Sequence, residues 1–297
     1  MRITKWSGVF LLVLNGFLGV RLLQTVRAEK PAQGYEFFAF DNGVGRGKWT
    51  PEQQAAALKE LGYDGISYNY TTPEALAAWI RAFDAQKLNI YGLYVPSAIG
   101  KPDHFPKGLE DAIRMLKGRG TVIWLNMSNV RKTKGDMDEE AVEVIRQVAG
   151  WSQASGLRVA LYGHKDLYIE TGEDGLRLAD KVNRKNVGCS VNLCHELMVG
   201  NGDRLLEILK SCARRMFLVS INGADQDGKP EGFILTLDKG TYDVLPFLRQ
   251  LKAVGYRGPV GLQCYNIPGD INENLKNSMA AWKRLHAQLF PEKGKQK

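Results

Sequence analysis

The chain has 297 residues, 44% hydrophobic and 24% charged, a composition that is typical of a globular protein and excludes a disordered, collagen-like or polytopic membrane protein. Its formal net charge is +8, but Arg2, Lys5, Arg21 and Arg27 lie in the first 28 positions, which contain no acid, so the rest of the chain carries +4. That charge is too small and too scattered to predict a nucleic-acid-binding surface.

Residues 1–28 resemble a secretory signal peptide. A basic start is followed by an apolar run at residues 9–20, which is shorter than the ~20 residues that a membrane-spanning helix needs, and then by Val26, Arg27 and the small residue Ala28. The pattern predicts a signal peptide cleaved after Ala28, a secreted or periplasmic protein, and no stable membrane insertion after cleavage. The four cysteines are sparse and form no CxxC motif, which favours buried unpaired side chains over a required disulfide.

Eight runs rich in Val, Ile, Tyr and Phe recur along the chain, and each precedes a stretch of helical pattern. The predicted strands are residues 35–40, 64–68, 88–95, 121–127, 157–163, 187–193, 215–221 and 258–264. Their average spacing, about 32 residues, suits a βα unit of roughly 30 residues. Eight such units predict an α/β fold with a single (β/α)8 TIM barrel.

Helix boundaries agree with this assignment. Thr50 and Thr72 each precede a Pro-Glu pair, which places a capping hydroxyl, a proline and an acid at a helix start. The predicted domains are a signal peptide (1–28), one barrel (29–290) and a basic tail (291–297). The longest irregular stretches, 97–106, 129–138 and 225–239, are predicted to be βα loops on the face that carries the active site in barrels of this kind.

The residues that end the predicted strands are rich in amides and tyrosines. Neutral donors and acceptors on aromatic walls suit a polyol, so we expect a small carbohydrate substrate. The predicted substrate-binding residues are Asp41, Tyr68, Tyr94, Asn126, Tyr162, Asn192, Asn222, Gln263 and Tyr265.

Two of the four histidines, His164 and His195, end consecutive predicted strands. Since neighbouring strand ends meet at one face of the barrel, their rings are expected to converge within proton-relay or metal-binding distance. Glu170, one short loop beyond His164, is the preferred carboxylate for proton abstraction, although a solvated loop acid fits it equally well. Asp41 and Asp225 are the alternatives.

Six segments carry a family resemblance: FAFDNG at 38–43, LKELGYDGI at 58–66, LYGH at 161–164, NLCHEL at 192–197, SINGAD at 220–225 and GLQCYN at 261–266. They resemble the sugar phosphate isomerase/epimerase group of xylose-isomerase-like TIM barrels, in its secreted form. The resemblance implies a divalent metal (Mn, Zn, Mg or Co) held by Glu, Asp, His and Glu at four strand ends. It also implies abstraction of a proton alpha to a sugar carbonyl.

The sequence departs from that ligand pattern. Tyr162 and Asn192 replace the first two acids, Ser220 or Asn222 the histidine, and Gln263 the last glutamate. Neutral amides bind divalent ions less well than carboxylates do.

Three hypotheses therefore stay open. The first is a rearranged metal site that uses His164 and His195 with Asp225 or Glu170. The second is metal-free acid/base chemistry by the two histidines. The third is a sugar-binding barrel without catalysis. An isomerase or epimerase is the preferred function, and a 3-keto-glycoside lyase is an alternative on the same site.

Overall fold

The structure is a computed structural model that describes residues 34–129, 136–226 and 229–291. Eight parallel strands follow one another in chain order around a closed barrel, which confirms the predicted single (β/α)8 fold. The strands are β1 (Phe37–Phe40), β2 (Gly65–Asn69), β3 (Asn89–Ile99), β4 (Val122–Asn129), β5 (Arg158–Leu161), β6 (Val187–Asn192), β7 (Met216–Ile221) and β8 (Val260–Leu262). The predicted signal peptide, and residues 292–297 of the predicted tail, lie outside the described residues.

Helices surround the barrel, and α1 and α2 begin at the two starts that the sequence predicts. Their bounds are α1 (Pro51–Leu61), α2 (Pro73–Ala85), α3 (Leu109–Met115), α4 (Asp138–Ala154), α5 (Gly172–Val182), α6 (Leu193–Met198), α7 (Leu205–Cys212), α8 (Val244–Ala253) and α9 (Ile271–Leu289). The Thr50 hydroxyl caps α1 by accepting from the Gln53 N–H at 3.3 Å, and Thr72 caps α2 in the same way. In the described part of the chain, no helix is long and apolar enough to cross a membrane.

Two strands extend beyond their predicted ends. β3 and β4 stay paired as far as Ile99 and Asn129, so the first predicted loop begins at Gly100 and not at Ser97. The Ser97 hydroxyl also donates to the Asn126 carbonyl oxygen at 2.6 Å and ties the two strands together near their ends. This longer wall raises one side of the barrel above the site.

A buried tryptophan forms the centre of the barrel. Trp124 is fully buried, and its ring centroid lies 4.9 Å from those of both Phe40 and Tyr162, edge to face. Its indole N–H donates to the Ser190 hydroxyl at 2.8 Å, so the one polar atom of the side chain is satisfied. Trp124 thus supports Tyr162, which belongs to the site above it. All four cysteines are buried and unpaired, as predicted.

A buried carboxylate joins helices α4 and α5 to the loop after β5. Asp138 accepts hydrogen bonds from the Tyr168 hydroxyl at 2.6 Å and from the Lys181 ammonium at 2.5 Å, and it is ion-paired with Arg177. Burial alone would raise the pKa of Asp138, but these hydrogen bonds outweigh it and lower the pKa to about 2. Asp138 thereby holds the β5–α5 loop, which carries His164.

We expect Asp138→Asn to lower the free energy of unfolding by about 2 kcal/mol at pH 7, because the pKa of this carboxyl is lower in the folded state than in the unfolded state. The stabilisation is complete above the unfolded pKa, and it is lost as pH falls through the folded pKa. The difference between parent and variant should therefore shrink in urea titrations between about pH 4 and pH 2. Asp84→Asn, which breaks an exposed pair with Arg119, is the matched control and should cost under about 1 kcal/mol. Equal losses in the two variants would contradict the expectation.

Candidate active site

A cavity of about 190 Å³ lies among the residues that follow the carboxyl ends of the strands. Seven of the predicted site residues line it together, drawn from the β1, β3, β5, β6 and β8 ends. The lining residues are Phe40, Asp41, Asn42, Arg46, Ser67, Asn69, Tyr94, Tyr162, His164, His195, Ile234, Gln263 and Tyr265. Polar groups from several strands therefore converge on one small space.

The two histidines lie against each other in the cavity wall. Their ring centroids are 4.0 Å apart with the planes tilted by 36°. His164 lies in the loop after β5, whereas His195 is in the first turn of α6, which begins directly after β6. The structure therefore brings the two histidine rings together, as expected for the ends of neighbouring strands.

One residue's main chain orients both rings. The Lys165 carbonyl oxygen lies 2.6 Å from His164 Nδ1, and the Lys165 N–H donates to His195 Nδ1 at 3.4 Å. A carbonyl only accepts and an N–H only donates, so in the neutral rings His164 carries its proton on Nδ1 and His195 carries its proton on Nε2. His164 thus offers a lone pair on Nε2, and His195 offers an N–H there.

Burial keeps His195 neutral. The side chain is 5% exposed, and Nε2 has no hydrogen-bond partner among the described residues. This burial, reinforced by the neighbouring His164, lowers the pKa of His195 well below its usual value. A buried N–H without a partner beside a cavity is suited to donate to a ligand oxygen.

A buried ion pair forms another part of the wall. Asp41, directly after β1, is ion-paired with Arg46 and accepts from the Asn69 N–H at 3.0 Å. Burial raises the pKa of Asp41, although Arg46 and the backbone donors counteract it. Since β1 and β5 are four strands apart in a ring of eight, Asp41 and His164 approach the cavity from opposite sides.

Tyrosines and amides complete the lining. The Gln263 side-chain oxygen accepts from Asn42 Nδ2 at 3.0 Å and from the Tyr265 N–H at 3.1 Å, which fixes its orientation. Tyr94 and Tyr162 meet edge to face, 4.9 Å between centroids, and burial raises both of their pKa values, so both hydroxyls are neutral. Tyr265 remains 57% exposed at the rim.

Three predicted substrate-binding amides do not line the cavity. Asn126 forms a hydrogen bond with Tyr94, which lines the cavity, and so contributes to the site through Tyr94. Asn192 donates to the Gly163 carbonyl at 3.0 Å and accepts from the Ser220 hydroxyl at 3.1 Å. Asn222 donates to the carbonyls of Gly223 and Phe233, and its own Oδ1 is buried without a hydrogen-bond partner among the described residues.

Three further predicted residues also lie outside the cavity lining. Tyr68 packs on Trp79 of α2, with 4.6 Å between ring centroids. Glu170 accepts from the Asp166 N–H at 3.2 Å within its own loop, and Asp225 accepts from the Thr241 N–H at 3.1 Å. Of the three acids considered for proton transfer, Asp41 is therefore the one in the cavity wall.

Arg46 and Asn69 line the cavity but were not among the predicted site residues. Side chains along a strand alternate between its two faces, so Ser67 and Asn69 share the inner face of β2 while Tyr68 points outward. That alternation is the signal that favours Asn69 over Tyr68. Arg46 has no such signal, because the turn after β1 brings it back onto Asp41.

Most polar groups at the family's metal-ligand positions are hydrogen-bonded to other parts of the protein. Asn192 is saturated by its neighbours, and the Gln263 oxygen already accepts two hydrogen bonds. His195 Nδ1 accepts from Lys165, which leaves its proton on Nε2. These groups present no free anionic donor to a cation.

The predicted trio His164, His195 and Asp225 is not brought together. Among residues 34–129, 136–226 and 229–291, no three His, Cys, Asp or Glu side chains cluster in a way that could hold a metal ion. The residues present therefore do not fit the divalent ion that the family resemblance implies.

Comparisons with known proteins identify a matching family and two relatives. The family model described as "Xylose isomerase-like TIM barrel" matches residues 55–285. The chain is 23% identical to an inosose isomerase of Bacillus subtilis (strain 168) over 54% of this chain and 58% of that protein. It is also 23% identical to an L-ribulose 3-epimerase of Methylomonas sp. (strain DH-1) over 64% of this chain and 65% of that protein. The matches span about three-fifths of each relative.

A solved structure agrees in fold. The crystal structure of the IOLI protein with a binding zinc atom has a TM-score of 0.69 to this chain and 16% sequence identity. The likeness covers 86% of this chain and all of that one, and it shows the shared barrel.

Proposed function

The chain belongs to the xylose isomerase-like TIM barrel family, and we propose that it is a sugar isomerase or epimerase that removes a proton from the carbon next to a sugar carbonyl. The observation that carries the proposal is the pair of histidines, 4.0 Å apart in the cavity wall, whose Nδ1 atoms contact the carbonyl oxygen and the N–H of Lys165. The names of the two curated relatives support the same class of reaction.

The two rings have complementary roles. His164 Nε2 takes the proton, and the electron pair of the broken C–H bond moves toward the carbonyl, whose oxygen gains negative charge. His195 Nε2–H donates a hydrogen bond to that oxygen without giving up its proton. The hydroxyl proton on the deprotonated carbon passes to the former carbonyl oxygen within the enediolate. His164 then returns its proton to the former carbonyl carbon, so the new carbonyl stands where the C–H bond was broken and the product is an isomer.

Epimerisation needs a proton delivered to the other face of the same carbon. Asp41 approaches the cavity from the side opposite His164, and burial raises the pKa of its carboxyl, which favours the protonated form. Arg46 opposes that protonation as long as the ion pair is intact. In this proposal Asp41 is the second acid/base group, and the stereochemical outcome depends on it.

Hydrogen exchange with solvent tests the proposal whichever product the reaction forms. The protein is incubated in D₂O with a panel of ketoses, aldoses and 3-keto-glycosides, and NMR follows exchange of the C–H beside the carbonyl. Catalysed exchange in at least one sugar supports the proposal, and no exchange across the panel contradicts it. Release of a free sugar from a 3-keto-glycoside identifies elimination on the same site.

Metal removal should leave the reaction intact, because the donor set around the cavity does not fit a divalent cation. We expect dialysis against a chelator to leave the exchange rate unchanged, with elemental analysis as the check on residual metal. A rate that falls on chelation and returns with Mn²⁺, Zn²⁺, Mg²⁺ or Co²⁺ would overturn the metal-free mechanism.

A further inference from the structure

A second cavity, of about 180 Å³, adjoins the first. It lies between the turn after β1, the loop after β8 and the start of α9, and Asn42 and Arg46 belong to the walls of both cavities. The first cavity alone is smaller than the roughly 300–1,000 Å³ usual for small-molecule sites, and the two together reach the lower end of that range. The space that a ligand can occupy is therefore larger than one sugar-sized cavity.

The walls of the second cavity are positively charged. Arg46 and Lys48 line it, and none of the described residues in its walls is acidic. Lys48 is exposed and forms no ion pair with any described residue, while Arg46 is ion-paired through one guanidinium nitrogen, Nη2, with Asp41. A ligand group that enters between these two cations meets one uncompensated positive charge and further guanidinium donors.

The remaining walls combine amides with an apolar patch. Asn266 offers a side-chain amide, and Ile267 and Ile271 offer apolar surface. The Asn274 amide nitrogen already donates to the Ile267 and Pro268 carbonyls. Amides beside an apolar patch suit a sugar ring, which has hydroxyls at its edge and C–H groups on its faces.

The junction between the cavities is tightly packed. Gly43 lies so close to Cys264 that a Cβ at Gly43 would be 2.3 Å from the Cys264 sulfur, so the turn after β1 and the loop after β8 pack directly on each other. The Cys264 thiol donates to the Phe40 carbonyl at 3.4 Å and fastens the same junction. Both cavities are thus formed before a ligand binds, which reduces the entropy cost of binding.

We propose that the second cavity is a subsite for an acidic glycosyl unit, linked to the sugar that reacts in the first cavity. The carboxylate or sulfate of that unit lies between Arg46 and Lys48. This inference rests on the proposed function, because it names the substrate class of the same site: a two-unit acidic saccharide in place of a free monosaccharide.

Calorimetric titration of the full-length protein tests the subsite. The probes are cellobiose, maltose and laminaribiose, the same disaccharides with glucuronate as the non-reducing unit, their 6-sulfates, and glucose and glucuronate alone. We expect at least one acidic disaccharide to bind about tenfold more tightly than its neutral counterpart and than either monosaccharide, with a preference that weakens as salt is raised. The glucuronate and sulfate series distinguish the two anionic groups.

Lys48→Glu should abolish that preference, whereas Lys117→Glu should retain it, because Lys117 is exposed and lines neither cavity. The subsite is refuted if no acidic disaccharide binds more tightly than its neutral counterpart, or if Lys48→Glu leaves the preference intact. Binding is measured without turnover, so the two proposals fail separately. If exchange is seen in monosaccharides alone, the proposed activity stands and the subsite is refuted. If the preference depends on Lys48 but no sugar undergoes exchange, the subsite stands and the proposed activity is refuted.

Discussion

His164→Asn should lower the rate of proton exchange by about 10²- to 10⁴-fold, the usual contribution of a general base. The asparagine amide can still donate to the Lys165 carbonyl in place of Nδ1–H, so the loop keeps its hydrogen bond while the basic nitrogen is lost. The measurement is the rate of deuterium incorporation at saturating sugar, together with the dissociation constant. We expect the rate to fall far more than the affinity.

His104→Asn is the matched control. His104 Nδ1 also lies near a backbone carbonyl, that of Ala98 at 2.9 Å, but the residue does not line the cavity. This variant should exchange at the parent rate. If His164→Asn also kept the parent rate, the base would have to be another residue, and Asp41 would be the next to test.

Trp124→Ala should lower the free energy of unfolding by about 3–5 kcal/mol, since it empties the centre of the barrel. The change removes the contacts with Phe40 and Tyr162 and leaves the Ser190 hydroxyl without its indole donor. Urea titrations followed by far-ultraviolet circular dichroism measure the loss without depending on the deleted fluorophore.

Trp124→Phe separates packing from hydrogen bonding. A phenyl ring keeps much of the aromatic contact but loses the N–H donor to Ser190 and the volume of the second ring, so this variant should lose about 1–2 kcal/mol. A loss of similar size in the two variants would show that the indole hydrogen bond, and not the volume of the ring, dominates the contribution of Trp124.

Local patterns were enough to predict the barrel. The caps at Thr50 and Thr72 and the apolar runs of the strands depend on residues close together in the sequence, so they can be recognised without knowing the tertiary structure. The meeting of His164 and His195 was also predictable, because the ends of consecutive parallel strands must be neighbours.

The remaining site residues depend on details that no local pattern specifies. Asn69 is the exception, because alternation along β2 places Ser67 and Asn69 on the inner face and Tyr68 on the outer one. Arg46 reaches Asp41 because a 3₁₀ turn and the left-handed Gly45 reverse the chain after β1. Glu170 illustrates the converse, since closeness in sequence to His164 did not bring its carboxylate to the cavity.

The proton positions on the two histidines are set by main-chain atoms of Lys165, and this has an evolutionary consequence. Every amino acid except proline supplies the same N–H and C=O, so the side chain at this position can drift among relatives while the tautomers are preserved. An alignment would then show a variable position 165 next to His164, although its main chain contacts both histidine rings. Sequence surveys of this lineage should therefore score the two histidines and the absence of proline at position 165, and not which other residue stands there.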